Sequence, residues 1–246
     1  TTLAEYFMYY DISEPNWKFI FDKFIKFGKL MWSKKAPKNS EDIVPLARKM
    51  YLNKTEERIV KWDRQDILNQ EYVYANGEKL YSFSTVYKML KNRLEKLITT
   101  SKNFYSIIHG DICFSNVIYL PAISTFKLLD PRGNFGVDMI YGDYRYDIAK
   151  IRHCYHGLYD YITQGLYSLK EVDVNNFEYS FLTSEITNPS VFDDILTSNG
   201  FNIDDIELIE GLLFISMIPL HSDDKNAQIM YYLMGLKCLN NQLEKE

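Results

Sequence analysis

Cysteine is nearly absent from this chain of 246 residues: Cys113, Cys154 and Cys238 are odd in number and stand far apart. That excludes a disulfide framework and offers no zinc-ligand spacing, so a reducing, cytoplasmic setting is expected. Long apolar runs are missing too. The most apolar, "GLLFISMIPL" (211–220), is about half the length of a bilayer span, and no signal peptide is visible, so no membrane partner is expected. Excess positive charge is also lacking. A net charge of −5 argues against a nucleic-acid partner, and the lysines of "KLMWSKKAPK" (29–38) read as a solvated helix end. Low-complexity tracts, internal repeats and Pro/Gly-rich linkers are absent, which argues for one domain. The first residue is Thr1 rather than Met, and the residues after it already read as structured. We therefore expect a cropped chain or the C-terminal part of a longer protein.

What is present is mostly helical pattern. Residues 16–32 repeat Trp17, Ile20, Phe21, Phe24 and Met31 at helical spacing, with Ser13 or Asn16 available as a cap. Further helices are predicted over 54–69, over 84–98 with Ser84 as cap, within 145–168, and over 190–199, 203–218 and 224–243. In "YVYANGEKLYSF" (72–83), Asn76-Gly77 between alternating aromatics predicts a tight hairpin. Residues 104–130 read as strand. The fold class expected is α+β, mainly helical, around two small hairpins.

The strand-like region is interrupted by "IIHGDICFSNVIYL" (107–120), where His109, Asp111 and Asn116 stand between apolar runs. A second apolar run ends at Asp130, and "PAIS" (121–124) reads as the turn between them. A hairpin symmetric about residue 123 would set Asn116 opposite Asp130, with Cβ atoms roughly 5 Å apart on one face. An amide and a carboxylate so placed offer two oxygens to a hard cation such as Mg²⁺. Asp111, in the loop entering the hairpin, is well placed to take a proton from an attacking hydroxyl. His109 reads as a residue that ties the loop down, and Gly110 permits its sharp turn.

His109-Gly110-Asp111 with Asn116, followed by "LLDPRG" (128–133), resembles the catalytic and metal motifs of the aminoglycoside phosphotransferase and choline kinase family. The resemblance runs from Leu3 to about Leu243 and implies the C-terminal lobe of a protein-kinase-like fold. It implies Asp111 as the catalytic residue, Asn116 and Asp130 as Mg²⁺ ligands, and Asp147, in "YGDYRYDIAK" (141–150), as a support of the catalytic loop. "SMIPLHSDD" (216–224) is similar to kinase-like proteins of bacterial surface-polysaccharide gene clusters. The implied reaction moves a phosphoryl group from ATP, or another nucleoside triphosphate, to a hydroxyl of a sugar, amino alcohol or related metabolite.

A phosphotransferase of that type also needs an N-terminal lobe with a phosphate-covering loop and a strand lysine. No G-x-G-x-x-G occurs here, so that lobe is expected upstream of Thr1 and the chain by itself is expected to be inactive. The alternative is a pseudokinase or interaction module attached to another biosynthetic enzyme. A more remote reading is a phosphoester hydrolase using His109 and Asp111 directly. Arg132, Asp143 and His221 are weaker candidates for substrate contact. For Asp143 and Asp147, helix capping and dipole complementation are the competing account. His153, Cys154 and His156 lack a further metal ligand nearby. The 20 Tyr and 15 Phe suggest core packing before any cage for a quaternary ammonium.

Overall fold

The computed structural model describes residues 1–137, 140–183 and 188–245, with nothing said of the Glu244 side chain. The chain begins with α1 (Leu3–Tyr9), closed at its start by a reciprocal pair: Thr2 Oγ1 accepts from the Glu5 N–H, and the Glu5 carboxylate accepts from the Thr2 N–H at 2.7 Å. Next comes α2 (Glu14–Trp32), which buries Trp17, Ile20, Phe21, Phe24 and Ile25 along one stripe. Ser13 occupies its N-cap, though without a side-chain bond. Helix α3 (Ile43–Arg48) continues through a π-helical stretch (Lys49–Asn53) into α4 (Lys54–Ile59), and α5 (Gln65–Leu68) follows as one short turn. The second helical segment thus starts eleven residues before the predicted position 54, and 60–64 interrupts it.

Strands β1 (Tyr72–Ala75) and β2 (Glu78–Tyr81) form the expected hairpin, with Asn76 and Gly77 both at positive φ in its two-residue turn. Helices α6 (Phe83–Met89) and α7 (Lys91–Thr100) cover the predicted 84–98, with Ser82 rather than Ser84 at the N-cap. Then come β3 (Tyr105–Ile107), β4 (Val117–Leu120), β5 (Thr125–Leu128) and β6 (Tyr141–Asp143), followed by α8 (Arg145–Tyr155) and α9 (Tyr159–Thr163). A further hairpin, β7 (Tyr167–Asp173) with β8 (Asn176–Phe181), was not foreseen. Its β8 lies parallel to β1, giving a four-stranded sheet in the order β2-β1-β8-β7. The chain ends in α10 (Ser190–Ser198), α11 (Ile203–Met217) and α12 (Lys225–Asn241).

The fold is α+β and mostly helical. One apolar cluster runs from Leu3 to Leu239, and α8, α11 and α12 lie at its centre, buried on nearly every side. Helices α11 and α12 approach closely because Gly211 and Gly235 face each other's partners. A Cβ at either position would come within 2.9 Å of Leu239 or Ile215. Among the described residues, no helix is long and apolar enough to cross a membrane.

Candidate active site

Strand β3 pairs antiparallel with β6 and delivers the chain into the loop His109-Gly110-Asp111. The start of α8, just past β6, fixes that loop. The buried Asp147 accepts hydrogen bonds from the backbone N–H of His109 (2.9 Å) and Gly110 (2.9 Å), and from the Trp32 indole N–H (3.2 Å). Burial pushes the Asp147 carboxyl up, and the three N–H donors pull against that shift. Gly110 sits at φ +80, and a Cβ there would stand 3.1 Å from Arg132 Cβ. Turn and close approach both call for glycine.

The His109 ring is used at both nitrogens. Nε2 lies 2.8 Å from the Leu129 carbonyl oxygen, which only accepts, so Nε2 carries the proton. Nδ1 then accepts from the Asp111 N–H at 3.3 Å. The Asn116 amide N–H donates to the Asp111 carbonyl at 2.9 Å, and the Arg132 N–H donates to the His109 carbonyl at 2.9 Å. The loop backbone is therefore held from α8, from β5 and from both ends of the β4–β5 hairpin. The Asp111 carboxylate is left about one-third exposed.

One partner of Asp111 was invisible in the sequence. Lys150, one turn beyond Tyr146 on α8, brings Nζ to 2.8 Å from Asp111 Oδ1 while itself 9% exposed. Burial works against the Lys150 ammonium, but Tyr146, Asp111 and Cys113 outweigh it and hold its pKa above the usual lysine value. Burial also pushes the neighbouring Cys113 thiol up, which keeps it a packing residue.

The hairpin register differs from the expected one. Val117 opposes Leu128 and Leu120 opposes Thr125, so Asn116 falls opposite Leu129, whose N–H donates to the Asn116 carbonyl at 2.9 Å. Asn116 and Asp130 are not a cross-strand pair. The four-residue turn 121–124, closed by Ser124 at φ +48, has its centre between residues 122 and 123 rather than at 123. Asp130 is exposed, at φ +52, one step past the rung. Its carboxylate and the Asn116 amide oxygen take no hydrogen bond or ion pair among the described residues. Two hard oxygen donors without protein partners, at the mouth of the Asp111 loop, fit the chemistry of Mg²⁺.

The weaker candidates separate. Asp143 is fully buried and bonded to Arg145 through both oxygens, at 2.6 to 3.1 Å, as well as to the Arg145 backbone N–H at the start of α8. It has no surface to offer a substrate and is withdrawn as a contact. Arg132 is exposed beside the loop, its guanidinium 3.3 Å from the Tyr146 hydroxyl. His221 lies in the turn between α11 and α12 against the Tyr231 ring, and no hydrogen bond or ion pair joins it to Asp111.

His153, Cys154 and His156 do not converge. His153 is fully buried between Tyr159 and Phe214 with both ring nitrogens unpaired, and the Cys154 sulfur accepts from the Phe114 N–H. His156 instead gathers with Glu210 and Cys238 within 4.8 Å. Arg152 already pairs with Glu210 there, and burial pushes the Cys238 thiol well up, so the positive charge that cluster needs is supplied by the protein.

Compared with known proteins, the chain matches no family model, no curated protein and no solved structure.

Proposed function

We propose that this chain is the catalytic lobe of a Mg²⁺- and nucleoside-triphosphate-dependent phosphotransferase, similar to the aminoglycoside phosphotransferase and choline kinase family, with an alcohol as acceptor. The observation that carries the reading is the state of Asp111. A carboxylate one-third open to solvent sits on a loop whose N–H groups at 109, 110 and 111 are all bonded. Such a group orients an acceptor hydroxyl and takes its proton as the oxygen attacks phosphorus.

Asp147 keeps the loop at its height, His109 locks its entry, and Lys150 holds one Asp111 oxygen so that the other faces the acceptor. Asn116 and Asp130 would hold Mg²⁺, which when bound neutralises charge on the transferred phosphoryl group. The nucleotide-covering loop and lysine that such a reaction needs would have to be supplied from outside this chain, so turnover is assigned to a full-length protein that carries them, in a cytoplasmic setting. Bacterial surface-polysaccharide synthesis is the setting that "SMIPLHSDD" suggests.

A hydrolase using His109 directly is disfavoured because both its ring nitrogens are occupied. The test is Mg²⁺-dependent ADP formation by the full-length protein, with and without pooled sugars and amino alcohols. Acceptor-stimulated turnover supports the reading. Phosphate release that ignores acceptors would make it a hydrolase, and neither turnover nor nucleotide binding would make it an interaction module.

A further inference from the structure

The ground beside Asp111 is strongly cationic. Helix α4 presents Lys54 and Arg58 one turn apart, and α8 presents Tyr146 and Lys150 one turn apart. Tyr146 joins the two faces: Lys54 Nζ lies 5.5 Å from its ring centroid, and Arg132 Nη1 lies 3.3 Å from its hydroxyl. Arg58 leans on the Ser216 carbonyl at 3.0 Å. Four cations thus gather around Tyr146, and of these Lys150 already holds the carboxylate of Asp111.

Lys54, Arg58 and Arg132 have no carboxylate partner among the described residues. Among the described residues, the only donor or acceptor contact of the Lys54 ammonium is the Met50 sulfur at 3.5 Å, and Glu57, the acidic neighbour of Arg58, is exposed. Burial, then the charges of Arg132, Arg58 and Lys150, push Lys54 well below the usual lysine range, against the pull of Asp111. Like charges one turn apart destabilise a helix, so a bound anion would relieve a repulsion that the fold leaves standing. Two guanidinium forks and an ammonium are donors suited to the oxygens of a phosphate.

We propose that Lys54, Arg58 and Arg132 form a receptor for a phosphate-class anion next to Asp111. Resting on the phosphoryl-transfer reading above, this makes the acceptor an alcohol that already carries a phosphate ester. Its hydroxyl lies at Asp111 and its charged end at the Lys54, Arg58 and Arg132 side chains.

Titration calorimetry of the chain with inorganic phosphate, without nucleotide or Mg²⁺, tests the receptor by itself. Saturable binding is expected, weakened about tenfold or more in Lys54→Met, Arg58→Gln and Arg132→Gln. Arg132 is exposed, so its variant keeps the test valid if Lys54→Met fails to fold. No binding, or equal binding by all variants, overturns the proposal.

In the full-length protein, kcat/KM is compared for glycerol 3-phosphate against glycerol and for glucose 6-phosphate against glucose. The expected preference for the phosphorylated partner falls by about tenfold in the variants. If the KM for ATP rises instead and the preference does not move, the cations serve the nucleotide, and the acceptor assignment is overturned. Phosphate binding that responds to the variants without transfer to any alcohol upholds the receptor and rejects the transfer reading.

Discussion

The Lys150 ammonium meets the Asp111 carboxylate at 2.8 Å, bringing together residues 39 apart in sequence from α8 and from the loop it supports. Lys150 is almost wholly buried and Asp111 is partly open to water. The pair therefore has one anchored end and one solvent-facing end, an arrangement that would hold the proposed base in a single orientation without sealing it off.

Replacing the anchored end separates positioning from folding. Lys150→Met fills a similar volume, and water can reach the Asp111 that it leaves behind. The thermal midpoint is expected to hold or rise. In the full-length protein, kcat should fall by about 10- to 1,000-fold with little change in the KM for nucleotide. Steady-state kinetics beside a melting curve checks both, and an unchanged kcat removes Lys150 from the site.

Asp147 is a different case, because three N–H donors lose their acceptor together. Asp147→Ala is expected to destabilise the chain by about 2–4 kcal/mol in urea unfolding. Asp147→Asn, which keeps one oxygen, should cost clearly less. Equal losses would mean that burial rather than the three hydrogen bonds sets the value.

The two oxygen donors make a claim about magnesium. Asp130→Asn should raise the Mg²⁺ concentration giving half-maximal rate by about tenfold or more. Because Asp130 is exposed and without a partner among the described residues, stability should not move. A normal Mg²⁺ response in this variant would remove Asp130 as a ligand.

Two buried groups give opposite pH dependences. Burial depresses His153 well below its ordinary 6.5, so below that pH the unfolded chain binds a proton that the folded one refuses, and stability falls as pH drops. Burial raises Asp160 from 3.8 to about 7, so between those values the folded chain holds a proton the unfolded one has lost, and stability falls as pH rises. Between about pH 4 and 6.5 these slopes oppose each other. His153→Phe should expose a loss of stability on raising pH towards 7, and Asp160→Asn a loss on lowering it below 6.5. Denaturant melts at pH 5, 6, 7 and 8 read both, and parallel curves for the two variants would contradict the assignment.

Legibility in the sequence followed how local each determinant is. Asn76-Gly77 forced a hairpin because the two-residue turn needs two positive φ values, and α2 was readable from its single buried stripe. The β7–β8 hairpin was missed although Phe177, Tyr179 and Phe181 alternate after a Val174-Asn175 turn, a signal that could have found it. The helix before residue 54 carries Pro45, which sits harmlessly in the first turn of α3. The Asn116 register failed by one residue because it depends on where a four-residue turn is centred.

The candidate site was half legible. His109, Asp111, Asn116 and Asp130 lie within 22 residues and announce themselves by interrupting apolar runs. Lys150 reaches Asp111 from α8, while Lys54 and Arg58, the proposed anion receptor, stand on α4, and each reads in the sequence as an ordinary charge on a helix. Only packing tells them from the solvated kind.

The most direct test of the central claim is transfer of the γ-phosphoryl of radiolabelled ATP onto an acceptor alcohol by the full-length protein and its Asp111→Asn variant, at saturating Mg²⁺. The account predicts labelled acceptor with the native residue and a rate about 10²–10⁴-fold lower in the variant, with the melting curve unchanged. Equal transfer by both proteins would contradict it.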